Sequence, residues 1–281
     1  MKRKAHFSRL MSLLLIGAFA AAFANSKNGQ LLKYKFDKGD KLIYSWSKNI
    51  ETVQEIGGQK QESKTTMDAK VRFTGESSLV EGATFSVVYD AMTFDVNHPA
   101  LTRKVENPEG LIGKRIRKSI AANGDLIKSE ELDPIDVGVL AQFGFSTDGE
   151  WFPNLPAEAL SVGKTVRATD VDTSKTKDRM TIVSSTYAYT LLGSEKKNGY
   201  KCLKISVAST SKIQGDGLLQ GLEFVMTGKG SAKETLYFAP KKGVLILAET
   251  ESQSNLMIDI SSQGLKIPIV QSEKSTLALV K

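Results

Sequence analysis

Few side chains in this sequence are suited to chemistry. The 281 residues contain two histidines, His6 and His98, and a single cysteine, Cys202. A serine hydrolase would have to use His98, in Val96-Asn97-His98-Pro99 with Asp90 and Asp95 nearby, yet no Gly-x-Ser-x-Gly elbow occurs to present the nucleophile. His98 and Cys202 are too few soft ligands for a zinc site. Cys202 lies in an alternating segment, Gly199–Ile205, and reads as a small buried hydrophobe rather than a reactive thiol. Glu130, Glu131, Asp133, Asp136 and Glu150 cluster in sequence beside Trp151, the composition of a glycan-hydrolysing site. That chemistry needs two carboxyls roughly 5–10 Å apart across a cleft, whereas acids flanking a helix start are commonly caps and dipole partners. With only Trp46 and Trp151, a sugar-stacking surface is thin. Lys114-Arg115-Ile116-Arg117-Lys118 could touch anionic lipid headgroups or lipopolysaccharide, but on a strand it better suits a solvated edge. Gly228-Lys229-Gly230 lacks the Walker spacing and marks a bulge or a close strand approach. No residue is assigned a catalytic, cofactor-binding or metal-binding role, and the expectation is a protein that is not an enzyme and needs no cofactor.

The N-terminus gives an address. Met1-Lys2-Arg3-Lys4 precedes a mostly apolar run from Leu10 to Phe23, and Ala22-Phe23-Ala24 suits signal peptidase, with cleavage after Ala24. The apolar run, about 14 residues, is short of the roughly 20 that span a bilayer. Residues 1–24 therefore read as a signal peptide, and the mature chain as periplasmic or secreted, with no transmembrane segment. The leader carries four of the 38 bases, leaving 34 against 31 acids, so the net charge of +7 falls to about +3. That balance excludes a strongly basic nucleic-acid binder. One cysteine excludes a disulfide framework, and 41% hydrophobic with 25% charged residues excludes wholesale disorder.

The elements that would position any site follow from period-two alternation. In 63–74, Thr65, Met67, Ala69, Val71 and Phe73 face one way and Lys64, Thr66, Asp68, Lys70 and Arg72 the other. In 42–56, Leu42, Tyr44, Trp46, Ile50 and Ile56 share a face. This is antiparallel sheet with one buried face, and Gly57-Gly58 between the runs is a hairpin turn. Further strands are expected at 84–94, 111–120, 125–129, 165–171, 179–191, 200–209, 218–227, 231–238, 244–252, 255–261 and 266–279, the last an edge strand because of Pro268. One helix is expected, capped by Asp133 with Pro134 at its first position and Ile135, Val139, Leu140 and Phe143 on one face. A connector with Pro153 and Pro156 follows and reads as a linker.

Glycine turns recur at a near-constant offset. Gly39 and Gly163 are 124 residues apart, Gly82 and Gly199 are 117 apart, and Gly124 and Gly243 are 119 apart. The expected organisation is an N-terminal β half (25–132), a helix and Pro-rich connector (133–157) and a C-terminal β half (158–281), two halves of common origin. A strand of twelve residues is about 40 Å long and twists and coils rather than lying flat. The fold class is thus mostly β, with long antiparallel strands in two related curved sheets or half-barrels and one intervening helix.

Lys38-Gly39-Asp40-Lys41-Leu42-Ile43-Tyr44, the helix, Phe152-Pro153-Asn154-Leu155-Pro156 with Leu160-Ser161-Val162-Gly163-Lys164, and Gly228-Lys229-Gly230 leading to Thr235–Phe238 and Lys242-Gly243-Val244-Leu245 form a pattern over most of the mature chain. It resembles a family of secreted bacterial β-rich proteins known only as a domain of unknown function, with Val166 standing where the family pattern has an aromatic. The resemblance implies no catalytic residues. In outline the architecture is also similar to LolA-like periplasmic lipoprotein carriers, half-barrels with a helix in the concavity.

The function these observations favour is a non-catalytic envelope protein that holds an apolar ligand, a lipid or acyl chain, in a curved sheet. A structural or protein-interaction module of the envelope is the alternative, and a carboxylate-dependent glycan hydrolase the second.

Overall fold

The structure, a computed structural model, describes residues 29–79, 82–99, 101–143, 145–147, 151–175, 178–219 and 221–280. Residues 1–24, expected to be a signal peptide, and Glu150 lie outside them. The described chain is mostly strand: β1 (Lys41–Ile56), β2 (Gln59–Leu79), β3 (Gly82–His98), β4 (Leu101–Glu106), β5 (Arg115–Ala121), β6 (Leu126–Glu131), β7 (Thr165–Lys175), β8 (Arg179–Lys197), β9 (Tyr200–Leu219), β10 (Leu222–Ala239), β11 (Val244–Ile260) and β12 (Leu265–Leu279).

These strands form one antiparallel sheet in the order β6-β5-β3-β2-β1-β12-β11-β10-β9-β8-β7, with β4 paired to β3. The expectation of two sheets is thereby corrected. The halves are joined by the first and last strands, in register from Tyr44 opposite Leu279 to Gln54 opposite Ile269. Pro268 accordingly sits in a central strand. Its missing N–H is tolerated because the β1 ladder stops at Ile269, one position short of it.

The intervening helix is also corrected. Only a 3-10 turn, Gly138–Phe143, forms in that region. Asp133 does not cap a helix, because its carboxylate accepts the Arg115 backbone N–H and two guanidinium N–H bonds, each at 2.9 Å. Gly138 then takes a positive φ of 52°, and its N–H binds Asp136 Oδ1 at 2.8 Å, closing a local turn instead of a helical one. Elsewhere strands run further than their alternation suggests. β10 passes through Gly228-Lys229-Gly230 unbroken, because a Cβ at Gly230 would lie 2.6 Å from Ser211 Oγ and one at Gly228 2.7 Å from the Asn255 carbonyl. These glycines serve close strand approach.

Two extended segments lie against one face at one end of the sheet, and we call this the inner face. The first, residues 29–37, is a strap. Gln30 exchanges backbone hydrogen bonds with Leu160, the Tyr34 N–H donates to Ala122 O, and the Lys35 N–H donates to Gly243 O. The second is the Pro-rich connector, whose Leu155 N–H donates to Asn123 O. Together they bind the β5–β6 turn near one edge of the sheet to the β10–β11 turn, which requires the sheet to curve. Rather than a plain linker, the connector buries Phe152 and Leu155 in the main core, and Leu160 just beyond it is buried there too.

Candidate binding face

The register of the ladders sets the inner face out in rows that cross the sheet. The row at the core edge runs Leu191, Ile205, Leu236, Ala248, Leu277, Trp46 and Ala69. Over it, Phe36, Tyr44, Phe73, Phe85 and Phe152 form a ring cluster with centroids 4.7–6.0 Å apart. Phe152 touches five rings, those of Tyr34, Phe36, Tyr44, Phe73 and Phe85. This end of the concavity is filled by the protein's own side chains.

Further along the strands the inner face turns polar. One row reads Ser185, Ser211, Gly230, Ser254, Gln271, Thr52 and Ser63. Beside it Lys48 and Glu273 pair at 3.0 Å. Beyond the polar belt the face becomes apolar again. Phe224, Met226, Ile260 and Ile267 are buried in a second cluster, supported by Ile56, Ile213, Leu256, Ile258 and Ile269, all from the sheet itself. On the opposite, outer face at this end lies an open groove of about 740 Å³, lined in part by Asp216, Leu218, Glu223, Val225 and Asp259. A second outer-face groove, of about 530 Å³, lies over Gly228 and is lined in part by Lys212, Thr227, Lys229, Asn255, Met257 and Val270.

One acid stands apart. Glu234 on β10 faces inward at the border between the ring cluster and the polar belt, between Val207 and Thr250 in register. Thr250 Oγ1 donates to its carboxylate at 3.0 Å. Burial pushes the carboxyl up to about 7, against the opposing pull of that hydrogen bond. Alternation marks the position in the sequence, because Glu234 shares the parity of Leu236.

The residues singled out from sequence do not converge. Asp133 is held by Arg115, and its carboxyl is lowered to about 2 by those hydrogen bonds. Glu130 meets Lys128 at 3.2 Å and Arg117 at 3.7 Å. Glu131 accepts from Thr147 at 3.3 Å, and Asp136 is spent on the Gly138 turn. Trp151 meets Trp46 edge-on at 5.0 Å and also touches Phe73 and Tyr89, so it is core rather than a sugar platform. His98 ends β3 and pairs with Leu101 across the turn, while Asp90 binds Arg72 at 2.8 Å. Cys202 is fully buried, and burial raises its thiol. In the basic run, Arg115 and Arg117 are paired with Asp133 and Glu76, and Lys118 is buried on the inner face opposite Phe85. Among the described residues no group of three or more His, Cys, Asp and Glu side chains is placed to hold a metal ion.

No family model matches the chain, and no curated protein matches it at a significant level. Solved structures give loose superpositions. Pseudomonas aeruginosa OccK2 (OpdF) aligns at 9% identity over 88% of this chain and 100% of that one, with a TM-score of 0.31. The same protein in complex with glucuronate gives 9% identity, the same coverage of both chains and a TM-score of 0.26. Pseudomonas aeruginosa OpdQ gives 9% identity over 86% of this chain and 100% of that one, with a TM-score of 0.23. Superpositions this loose assign neither a fold family nor an activity.

Proposed function

We propose that this chain is a non-catalytic, secreted envelope protein that holds an apolar ligand, a lipid or acyl chain, against the inner face of its curved sheet. The observation that carries this reading is the second apolar cluster. Phe224, Met226, Ile260 and Ile267 and their neighbours lie on the inner face at the end of the sheet remote from the strap and connector. Small-molecule sites are concave and mostly apolar, which the composition of this end of the inner face matches. The outer face argues for a protein that meets lipid as cargo rather than as solvent. Lys212, Lys229, Lys233, Glu249, Glu251 and Gln253 are exposed along the middle of β9–β11, where a bilayer-spanning barrel needs an outward apolar band.

Organic extraction of protein purified without detergent, followed by mass spectrometry, tests the reading. A stoichiometric acyl species is expected, reduced in a folded Leu256→Glu variant and absent from a matched control protein. A clean extract from well-folded protein would sink it.

A second reading, an interaction module of the envelope, draws on β7. This strand is the free edge of the sheet, with eleven residues and nine of them exposed. An edge of that length can accept a partner strand.

A further inference from the structure

We propose that the end of the sheet crossed by the strap, residues 29–37, is a docking surface for an anionic phospholipid bilayer. This inference stands apart from the ligand reading above, because this is the end filled by the protein's own side chains. Three separate segments bring lysines to it. The strap buries Leu32, Tyr34 and Phe36 and leaves the alternate side chains Lys33 and Lys35 exposed. Lys35 lies against the β10–β11 turn. Its N–H donates to Gly243 O at 2.9 Å, and a Cβ at Gly243 would lie 2.6 Å from Lys35 Cγ, so glycine is what lets the two approach. That turn exposes Lys241 and Lys242. The β8–β9 hairpin adds the third group. Its Asn198 side chain donates to Leu279 O at 3.3 Å, which holds the hairpin tip at the end of β12. Lys197 and Lys204 stand over one ring, that of Tyr237, with Nζ 4.8 Å and 5.3 Å from its centroid, and Tyr237 is two residues before the end of β10. Lys196 and Lys201 pair in register in the same hairpin and are exposed.

Charge is thereby segregated along the molecule. The eight lysines of these segments are set against Asp125, Glu158 and Glu195. Glu195 is spent on Lys204 at 3.4 Å, and Asp125 accepts from the Asn123 side chain at 2.7 Å. The adjoining 37–41 loop is balanced, with Asp37 and Asp40 against Lys38 and Lys41. The excess at this end is larger than the net charge of about +3 on residues 25–281, so the remainder of that chain is net acidic. Two exposed apolar side chains lie among the lysines. Leu31, 47% exposed, shares the outward parity of Lys33 and Lys35, and Val162, 67% exposed, follows Leu160, which pairs with Gln30 of the strap. Lysines around exposed aliphatic side chains match a bilayer interface, where the cations meet lipid phosphates and the apolar groups enter the headgroup region. Neither groove described above is lined by these segments, so the surface suits an extended anionic layer rather than a ligand in a cleft.

Co-sedimentation with vesicles tests this, using residues 25–281, because the basic and apolar leader would bind vesicles by itself. Each lysine near an anionic surface strengthens binding by about fivefold, and salt screens the effect. At about 0.1 M salt, partitioning onto vesicles of phosphatidylcholine with phosphatidylglycerol should exceed that onto pure phosphatidylcholine by on the order of a hundredfold, and it should fall tenfold or more at about 0.5 M. The triple variant Lys33→Gln, Lys241→Gln, Lys242→Gln spares Lys35 and its packing on Gly243. It should keep the wild-type melting temperature and bind anionic vesicles on the order of a hundredfold more weakly. The triple variant Lys212→Gln, Lys229→Gln, Lys233→Gln makes an equal charge change in the middle of the outer face and should stay within about twofold of wild type, since charges more than about 10 Å from the contact are screened. Leu31→Gln should weaken the binding that survives at high salt. Equal partitioning onto the two kinds of vesicle would overturn the proposal, as would equal losses in the two triple variants. Retention on immobilised heparin without vesicle binding would overturn it in favour of a soluble acidic partner.

Discussion

Phe152→Ala is the sharpest test of how this fold is held together. Phe152 lies in a segment whose prolines suit a solvated connector, yet it is 3% exposed and touches five aromatic rings at 5.2–6.0 Å. Truncation removes a ring from a site bounded by the strap on one side and by β1, β2 and β3 on the other, and these elements cannot all move in to fill the space. Losses of about 3–5 kcal/mol are usual for buried Phe→Ala. The crowding of ring contacts, each adding about 0.5–1.5 kcal/mol beyond area burial, places this site at the upper end. At roughly 2–4 °C per kcal/mol for a domain of this size, the melting temperature should drop by about 10 °C or more. Urea unfolding followed by tryptophan fluorescence is the suitable assay, because Trp46 and Trp151 adjoin the cluster through Phe73 and Tyr44. The midpoint should shift at constant m-value. A loss below about 1 kcal/mol would refute the reasoning, since it would show that the connector is laid over a core already complete without it.

Two other expectations follow from single groups. Glu234 has a folded-state pKa above its unfolded value, so the folded protein holds the extra proton. Its contribution is fully present below the ordinary carboxyl range and is lost as pH rises from about 4.5 toward about 7. Wild type should therefore lose up to about 3 kcal/mol relative to Glu234→Gln between pH 4 and pH 8, measured as the difference in unfolding free energy. Parallel pH profiles for the two proteins would contradict this. Cys202 is fully buried with a raised thiol pKa, so it should react with a thiol reagent only as fast as the sheet opens, and denaturant should speed the reaction in step with unfolding. Rapid labelling of the native protein would place the thiol at the surface.

How much of this was legible depended on range. The alternation of 63–74 assigns Thr65, Met67, Ala69, Val71 and Phe73 to one face, and Met67, Ala69, Val71 and Phe73 are buried on it. Gly57 and Gly58 take the positive φ values of 58° and 81° that a glycine hairpin needs. Both are local features, set by side-chain parity and backbone sterics. The union of the halves was not legible, because Tyr44 and Leu279 are 235 positions apart and nothing in either strand names its partner. The helix expected at 133–143 failed for a related reason. Asp133 and Pro134 are sound helix-start signals, but Arg115 lies 18 residues upstream and takes the carboxylate away. β4 was missed because Leu101-Thr102-Arg103-Lys104-Val105-Glu106 has almost no buried face and owes its extended form to pairing with β3. The carboxylate cluster near residue 130 dissolved on the same ground. Acids close in sequence on neighbouring short elements were claimed singly by Arg115, Arg117, Thr147 and the Gly138 turn.

Strand length explains why the inner face is divided. β9 has twenty residues and at about 3.3 Å each extends about 66 Å, whereas the nine-residue strap, fully extended, covers about 30 Å at most. A plug of that reach leaves much of the sheet as a single layer. A single layer survives in water only if both of its faces tolerate water, and in its middle this one does, with serine, threonine and glutamine inside and lysine, glutamate and glutamine outside. Solubility alone would have favoured continuing that pattern to the strand ends. Instead β9–β12 return to Ile213, Phe224, Met226, Leu256, Ile258, Ile260, Ile267 and Ile269 on the inner face. This second cluster is separated from the main core by the polar belt, so the ring cluster does not require it. Holding something apolar there is a role that the position and the composition both fit.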